Sequence, residues 1–164
     1  MVGDRVFVDA DLSTIWVTAL ADGKFLVGAT VGYSNGFQAT LYRYNSDGTL
    51  DSTFGTAGKQ RINVNNISYL YLNDLQVTGD GKIVLGVSAN QGTPSESNFD
   101  FAAVRLNASG SLDTGFGTNG ITAVPISTLS TNAADFARAI QINPAGDILI
   151  GGYSNQTAVF NRLG

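Results

Sequence analysis

The chain has 164 residues, enough for one domain with a sizeable core, and 43% of them are hydrophobic against 13% charged. A net charge of −4 with only 9 Lys and Arg residues argues against nucleic acid, where affinity rests on phosphate neutralisation, and against docking on an anionic membrane surface. Histidine and cysteine are absent, which removes the commonest general base, the commonest zinc ligand, disulfides and a thiol nucleophile.

The opening segment, MVGDRVFVDAD, has no basic stretch followed by an apolar one, so it is not a signal peptide, and no apolar run approaches the ~20 residues of a membrane span. Gly3-Asp4-Arg5-Val6-Phe7-Val8 resembles a later segment, Gly58 to Val64, and is expected to be a strand over about 4–10. From Val17 the pattern alternates apolar and polar, which predicts a strand with one buried face. Asp22-Gly23 then predicts a tight hairpin with both central residues at positive φ. Phe25-Leu26-Val27-Gly28 is continuously apolar, as expected of a strand buried on both faces. Strands are predicted from Ala39 to Tyr44 and from Gln60 to Val64, with a turn at Asn45 to Thr49 between them.

The same series then recurs. VTALADGKFLVG from Val17 returns as LQVTGDGKIVLG from Leu75 and as IQINPAGDILIG from Ile140, at offsets of 58 and 65 residues. LYRYNSDGTLDSTFGTAG (Leu41 to Gly58) returns 62 residues later as AVRLNASGSLDTGFGTNG (Ala103 to Gly120). The copies span about 11–65, 66–130 and 131–164 within a single repeat domain, the last completed by the strand near 4–10. Four short antiparallel strands per copy make an all-β fold, three blades of a β-propeller. No copy carries a convincing helical stripe, which excludes a helical solenoid. Three blades fall short of the about 4 to 8 that close a ring. Two chains give six blades, so the expected partner is a second copy, a homodimer in which the opening strand of each chain completes the last blade of the other. The alternative is that the blades belong to a longer chain.

Phe101 to Gly120, with Arg105, Asn107, Asp113, Phe116 and Gly117 at fixed spacing, resembles the delta-60 repeat family of bacterial proteins, and Gly79 to Gly86 resembles the other half of that repeat. The resemblance covers nearly the whole chain. It implies a propeller-like fold, often within exported or surface-attached bacterial proteins, hence an extracellular or cell-surface setting. It implies no enzyme activity and no particular ligand.

Several residues are candidates for chemistry. Asn45, Asp47 and Asp51 place oxygens at intervals around a glycine turn, the pattern of a calcium loop; the alternative is a hairpin turn in which Asn and Asp bond their own backbone. Arg43, Arg105 and Arg162 recur on one strand, and Asp51 and Asp113 each follow eight residues after the first two, which suggests a structural ion pair in each blade. Phe54 and Phe116 are expected between blades, each followed by a glycine that permits a bend. Tyr33-Ser34-Asn35 and Tyr153-Ser154-Asn155 repeat one tripeptide, and with Trp16, Tyr69, Tyr71 and Asn90 they are candidates for holding a sugar by aromatic faces and amides. The polar loop Asn90 to Asn98, with Glu96, is the least repeat-like and a candidate contact site. A serine nucleophile lacks its usual base, and the acids Asp9, Asp11, Asp74 and Asp135 form no glycosidase motif. The expectation is therefore a non-catalytic binding or scaffolding module without a cofactor. A carbohydrate-binding propeller is the alternative, and a glycoside hydrolase the third reading.

Overall fold

The computed structural model describes residues 12–64, 67–90, 99–124, 134–154 and 157–163. Among them run eleven strands in three antiparallel sheets. The first sheet contains β1 (Leu12–Ala19), β2 (Phe25–Tyr33), β3 (Gly36–Tyr44) and β4 (Lys59–Arg61), each paired with the next. The second repeats that order with β5 (Tyr69–Val77), β6 (Ile83–Asn90), β7 (Asp100–Leu106) and β8 (Ile121–Val124). The third holds β9 (Asp135–Ile142), β10 (Ile148–Ser154) and β11 (Thr157–Leu163). The expected opening strand near 4–10 lies outside the described residues.

The middle strands bear out their apolar runs: every residue of β6 is buried, and β2 is buried from Leu26 to Val31. β6 is covered on both sides because a sheet packs on each of its faces. Leu26, Leu41 and Phe54 of the first sheet pack with Leu72, Leu75, Leu85 and Leu106 of the second. Val84, Phe101 and Ala103 on the second sheet's other face pack with Ile140 and Ile150 of the third.

A glycine in each middle strand sets the approach. A methyl built on Gly28 would lie 2.6 Å from Cδ2 of Leu72, and one on Gly86 would collide with Cγ2 of Ile140. The next sheet's first strand therefore rests directly on the backbone. A bulge recurs in each first strand, between Leu12 and Ile15, between Leu72 and Asp74, and opposite Gly151–Gly152. Beside the second bulge, Asp74 accepts the amide of Ile140 at 2.8 Å. Gln76 also bridges the sheets, donating to the carbonyl of Ile140 at 2.8 Å and accepting from the amide of Ile142 at 3.3 Å.

Two local expectations are corrected. In the hairpin after β1, only Gly23 has positive φ, not Asp22, and the same holds for Gly81 and Gly146 in the later copies. The bonds from Gly23 N to Leu20 O and from Leu20 N to Lys24 O describe a common turn followed by a left-handed residue. Asp22 accepts the amide of Lys24 at 3.1 Å, a role that needs no positive φ. The outer strand of the first copy is also shorter than expected: β4 stops at Arg61, although Ile62 N still donates to Ala39 O at 2.9 Å.

The paired positive-φ turn occurs instead before β4 and β8, where Ala57-Gly58 and Asn119-Gly120 are both left-handed and Thr56 exchanges both backbone bonds with Lys59. Ala57, at φ 51, is a residue that seldom adopts this conformation, whereas Asn tolerates it. Ala57→Asn should therefore stabilise the fold by roughly 0.5–1 kcal/mol, raising Tm by about 2–3 °C in a thermal melt. A lower Tm would contradict the left-handed assignment.

Candidate functional site

At one end of the sheets, the repeated charges form the same cluster twice. Arg43 lies on β3, and the chain returns past it through the turn at Asn45–Thr49. Arg43 Nε donates to Asp51 Oδ2 at 2.7 Å, and Lys24 Nζ reaches the same oxygen at 2.6 Å. The other oxygen accepts the amide and hydroxyl of Thr53 at 3.0 and 2.6 Å. In the second copy Asp113 Oδ2 accepts from Arg105 Nε at 2.8 Å and Lys82 Nζ at 2.9 Å. Each guanidinium also lies on the ring that follows, Arg43 at 4.7 Å from the Phe54 centroid and Arg105 at 4.4 Å from that of Phe116. The expected Arg–Asp pair is thus present in both copies, and the lysine is the partner that sequence reasoning missed. It sits in the first hairpin of the first two copies, at Asp-Gly-Lys, so its recurrence was the available signal. In the third copy Arg162 lies on β11 opposite Leu149.

The lysine, Thr53 and the arginine hold the Asp51 carboxyl far below the usual carboxylate range. Asp113 is lowered too, first by Lys82 and then by Arg105. Asp47 is lowered by the hydroxyl and amide of Thr49, which its Oδ1 accepts at 2.6 and 2.9 Å. Asn45 Nδ2 donates to that same hydroxyl at 3.1 Å. Asn45 and Asp47 thus brace their own turn, and Asp51 is engaged by two cations instead of joining them. Among the described residues no group of three or more acids could hold a metal ion.

The opposite end, at the β2–β3 hairpin, carries the aromatic candidates. Tyr33 lies under the guanidinium of Arg61 at 3.9 Å from the ring centroid, and Arg61 donates to Asn35 Oδ1 at 2.7 Å. The first Tyr-Ser-Asn is therefore clamped to its own sheet. Tyr153 is covered in a similar way by Arg138, 5.0 Å from its centroid, while Asn155 lies outside the described residues. Trp16 is half-buried among core residues of the first two sheets, so the structure does not bring it to the tyrosines. Asn90 is buried on β6, and the loop 91–98 lies outside the described residues.

An unforeseen row of rings crosses all three sheets here. Phe37 meets Tyr71 at 5.6 Å between centroids, Tyr71 meets Phe99 at 5.5 Å, Phe99 meets Phe136 at 5.1 Å and Phe136 meets Tyr153 at 5.4 Å. Below it Asp100 titrates above the usual range, through burial and then the nearby charge of Asp135. Asp74 is committed to the amides of Leu75 and Ile140, and Asp9 and Asp11 lie outside the described residues.

Residues 20–54 and 78–116 match the profile of a family described as a domain of unknown function (DUF5122) beta-propeller. These matches support a β-propeller repeat family. The two matches fall on the first and second sheets, and each contains one Arg–Asp–Phe cluster. No curated protein and no solved structure matches the chain. Among the described residues no helix is long and apolar enough to cross a membrane.

The lowered carboxyl of Asp51 sets a pH dependence. Its contribution to stability is complete above about pH 4, the unfolded value, and is lost as pH falls towards the folded value. Asp51→Asn should cost about 3 kcal/mol at pH 7, since it leaves Lys24 and Arg43 without their carboxylate. It should also flatten the fall of the urea midpoint between about pH 4 and 2. A variant with the parent's pH profile would show that the cluster does not bear on stability.

Proposed function

We propose that the chain is a non-catalytic binding and scaffolding module of the delta-60 type, from an exported or surface bacterial protein, which works as a homodimer closing a six-bladed ring. The observation that carries this is a mismatch in burial between equivalent positions. Leu75 and Ile140, which rest on the preceding blade, are 8% and 3% exposed; Val17, their equivalent in the first blade, is 66% exposed. Phe25 is 40% exposed where Ile83 and Ile148 are 2% and 3%. At the other end Leu149 is 42% exposed where Leu26 and Val84 are fully buried.

The first blade thus presents the face that the second and third use to pack on a neighbour. The third presents the complementary face, with Gly151 at the position of Gly28 and Gly86. One chain carries both halves of the joint, so two copies can satisfy each other head to tail. Six blades fall within the range of about 4 to 8 that closes. Asp47, Asp51, Asp74 and Asp113 are bound up in structural contacts, which favours binding over catalysis.

A carbohydrate-binding reading has one feature in its favour, the row from Phe37 to Tyr153, although most of those rings stack on one another. Light scattering tests the assembly. The 17.1 kDa chain should weigh twice that in solution, and Val17→Asp should return it to a monomer with an unchanged circular dichroism spectrum. A monomeric parent chain sinks the dimer. A hit on a glycan array would favour the second reading.

A further inference from the structure

At the end where the rings lie, the two joints between the sheets are closed by different chemistry. In the first, Gln38 on β3 is 1% exposed and reaches across, its Nε2 donating to the carbonyls of Ser68 at 2.9 Å and Ile67 at 3.3 Å just ahead of β5. Leu70, near the start of β5, is fully buried. One joint later, Phe37-Gln38 becomes Phe99-Asp100 and Leu70-Tyr71 becomes Asp135-Phe136. The rings keep their partnership, Phe99 on Phe136 as Phe37 on Tyr71. An amide and a leucine have thus given way to two acids.

Asp135 is 1% exposed, and its amide donates to the carbonyl of Phe99 at 2.7 Å. That carbonyl belongs to the peptide group joining Phe99 to Asp100, so one hydrogen bond ties the two acid-bearing residues across the joint. The charged residues of the surrounding strands are engaged elsewhere. β6, β8 and β10 contain none. On β7 Arg105 holds Asp113, on β9 Arg138 donates to the Tyr153 hydroxyl, and on β5 Asp74 accepts the amides of Leu75 and Ile140. Arg162 on β11 pairs with Leu149, at the far end of β10 from Ser154, the partner of Asp135. Burial first, and then the charge of Asp135, hold the Asp100 carboxyl above the usual carboxylate range.

We propose that Asp100 and Asp135 make the joint between the second and third sheets responsive to pH, closed while Asp100 holds a proton and loosened as it ionises. Protonated, Asp100 carries an O–H donor in the place of the Gln38 amide and leaves the joint with one negative charge. Ionised, it sets a second carboxylate against Asp135 in a part-buried site. The folded chain binds this proton more tightly than the unfolded chain, whose value is about 4. The joint is therefore strongest at acid pH, weakens as pH rises through the folded value, and bears the full cost at neutral pH. This is opposite in sense to Asp51, whose support is lost in acid.

The test is native-state hydrogen exchange of the 164-residue chain between about pH 3.5 and 7, corrected for the intrinsic rate of each amide. It is read at the Asp135 amide, which crosses this joint to Phe99, and at the Leu72 amide, which crosses the first joint to Thr30. Protection at Asp135 should fall several-fold relative to Leu72 as pH rises. Asp100→Asn should abolish that fall, raise Tm by a few degrees at pH 7 and leave it nearly unchanged at about pH 3.5. In the parent chain the Asp100 carboxyl carbon, followed by NMR, should titrate above the usual range, and Asp135→Asn should bring its midpoint down. An ordinary midpoint for Asp100, parallel pH dependence at Asp135 and Leu72, or the same Tm change in Asp100→Asn at both pH values would overturn the proposal.

Discussion

The closeness of one sheet to the next, set by a bare backbone at Gly28 and Gly86, is the constraint on which this molecule depends. A sheet of three or four short strands buries little by itself, and here the apolar side chains of each find their partners in its neighbours. With a side chain at either glycine, Leu72, Leu75 or Ile140 would have to withdraw, and the bonds that cross the joint would lengthen with them. Those bonds are few and specific: Thr30 Oγ1 accepts the amide of Leu72 at 2.9 Å, and Ser88 Oγ accepts that of Ala137 at 3.0 Å. Close approach thus secures both the dispersion contacts and the satisfaction of strand-edge amides. The outward faces of the first and third sheets, by contrast, expose Val17 and Leu149.

The charged clusters act at the rim of the same joints. Asp51 ties the returning chain to Arg43 on β3 and to Lys24 in the first hairpin, so one carboxylate joins three segments of a blade. Arg43 then extends to the next blade at Ala108. The pair is largely shielded from water, and its cost of desolvation is offset by several hydrogen bonds to a single carboxylate. The identical residues of the second copy, Arg105 and Asp113, join the same segments of their own sheet.

Much of this was legible in the residues. Period-2 alternation and the recurrence of Asp-Gly-Lys and of the Arg, Asp and Phe positions placed the sheets, the ion pairs and the buried rings, because these depend on local spacing repeated in each copy. The turn types were less legible. Asp-Gly admits two hairpin geometries, and the pair of left-handed residues fell on Ala57-Gly58, where alanine gives no signal. The aromatic row was legible only in part. Phe37 and Phe99 stand six residues before Arg43 and Arg105, and Tyr71 and Phe136 four before Leu75 and Ile140, so the repeat carried the signal, but that the rings meet shows only once the sheets stack. The doubled Tyr-Ser-Asn gave no sign of the clamp that the structure adds in the first copy, where Arg61 holds Tyr33 and Asn35.

The third copy shows how closely charge follows architecture. Lys24 and Lys82 are answered by Asp51 and Asp113, but the same hairpin position in the third copy is Asp147. There the aspartate closes its own turn, accepting from Asn143 Nδ2 at 2.9 Å, while Asn143 Oδ1 accepts the amides of Ala145 and Asp147. A carboxylate arriving opposite it, as Asp113 does opposite Lys82, would meet a like charge in place of an opposite one. The hairpin of the third copy therefore closes on itself where those of the other two reach for a carboxylate.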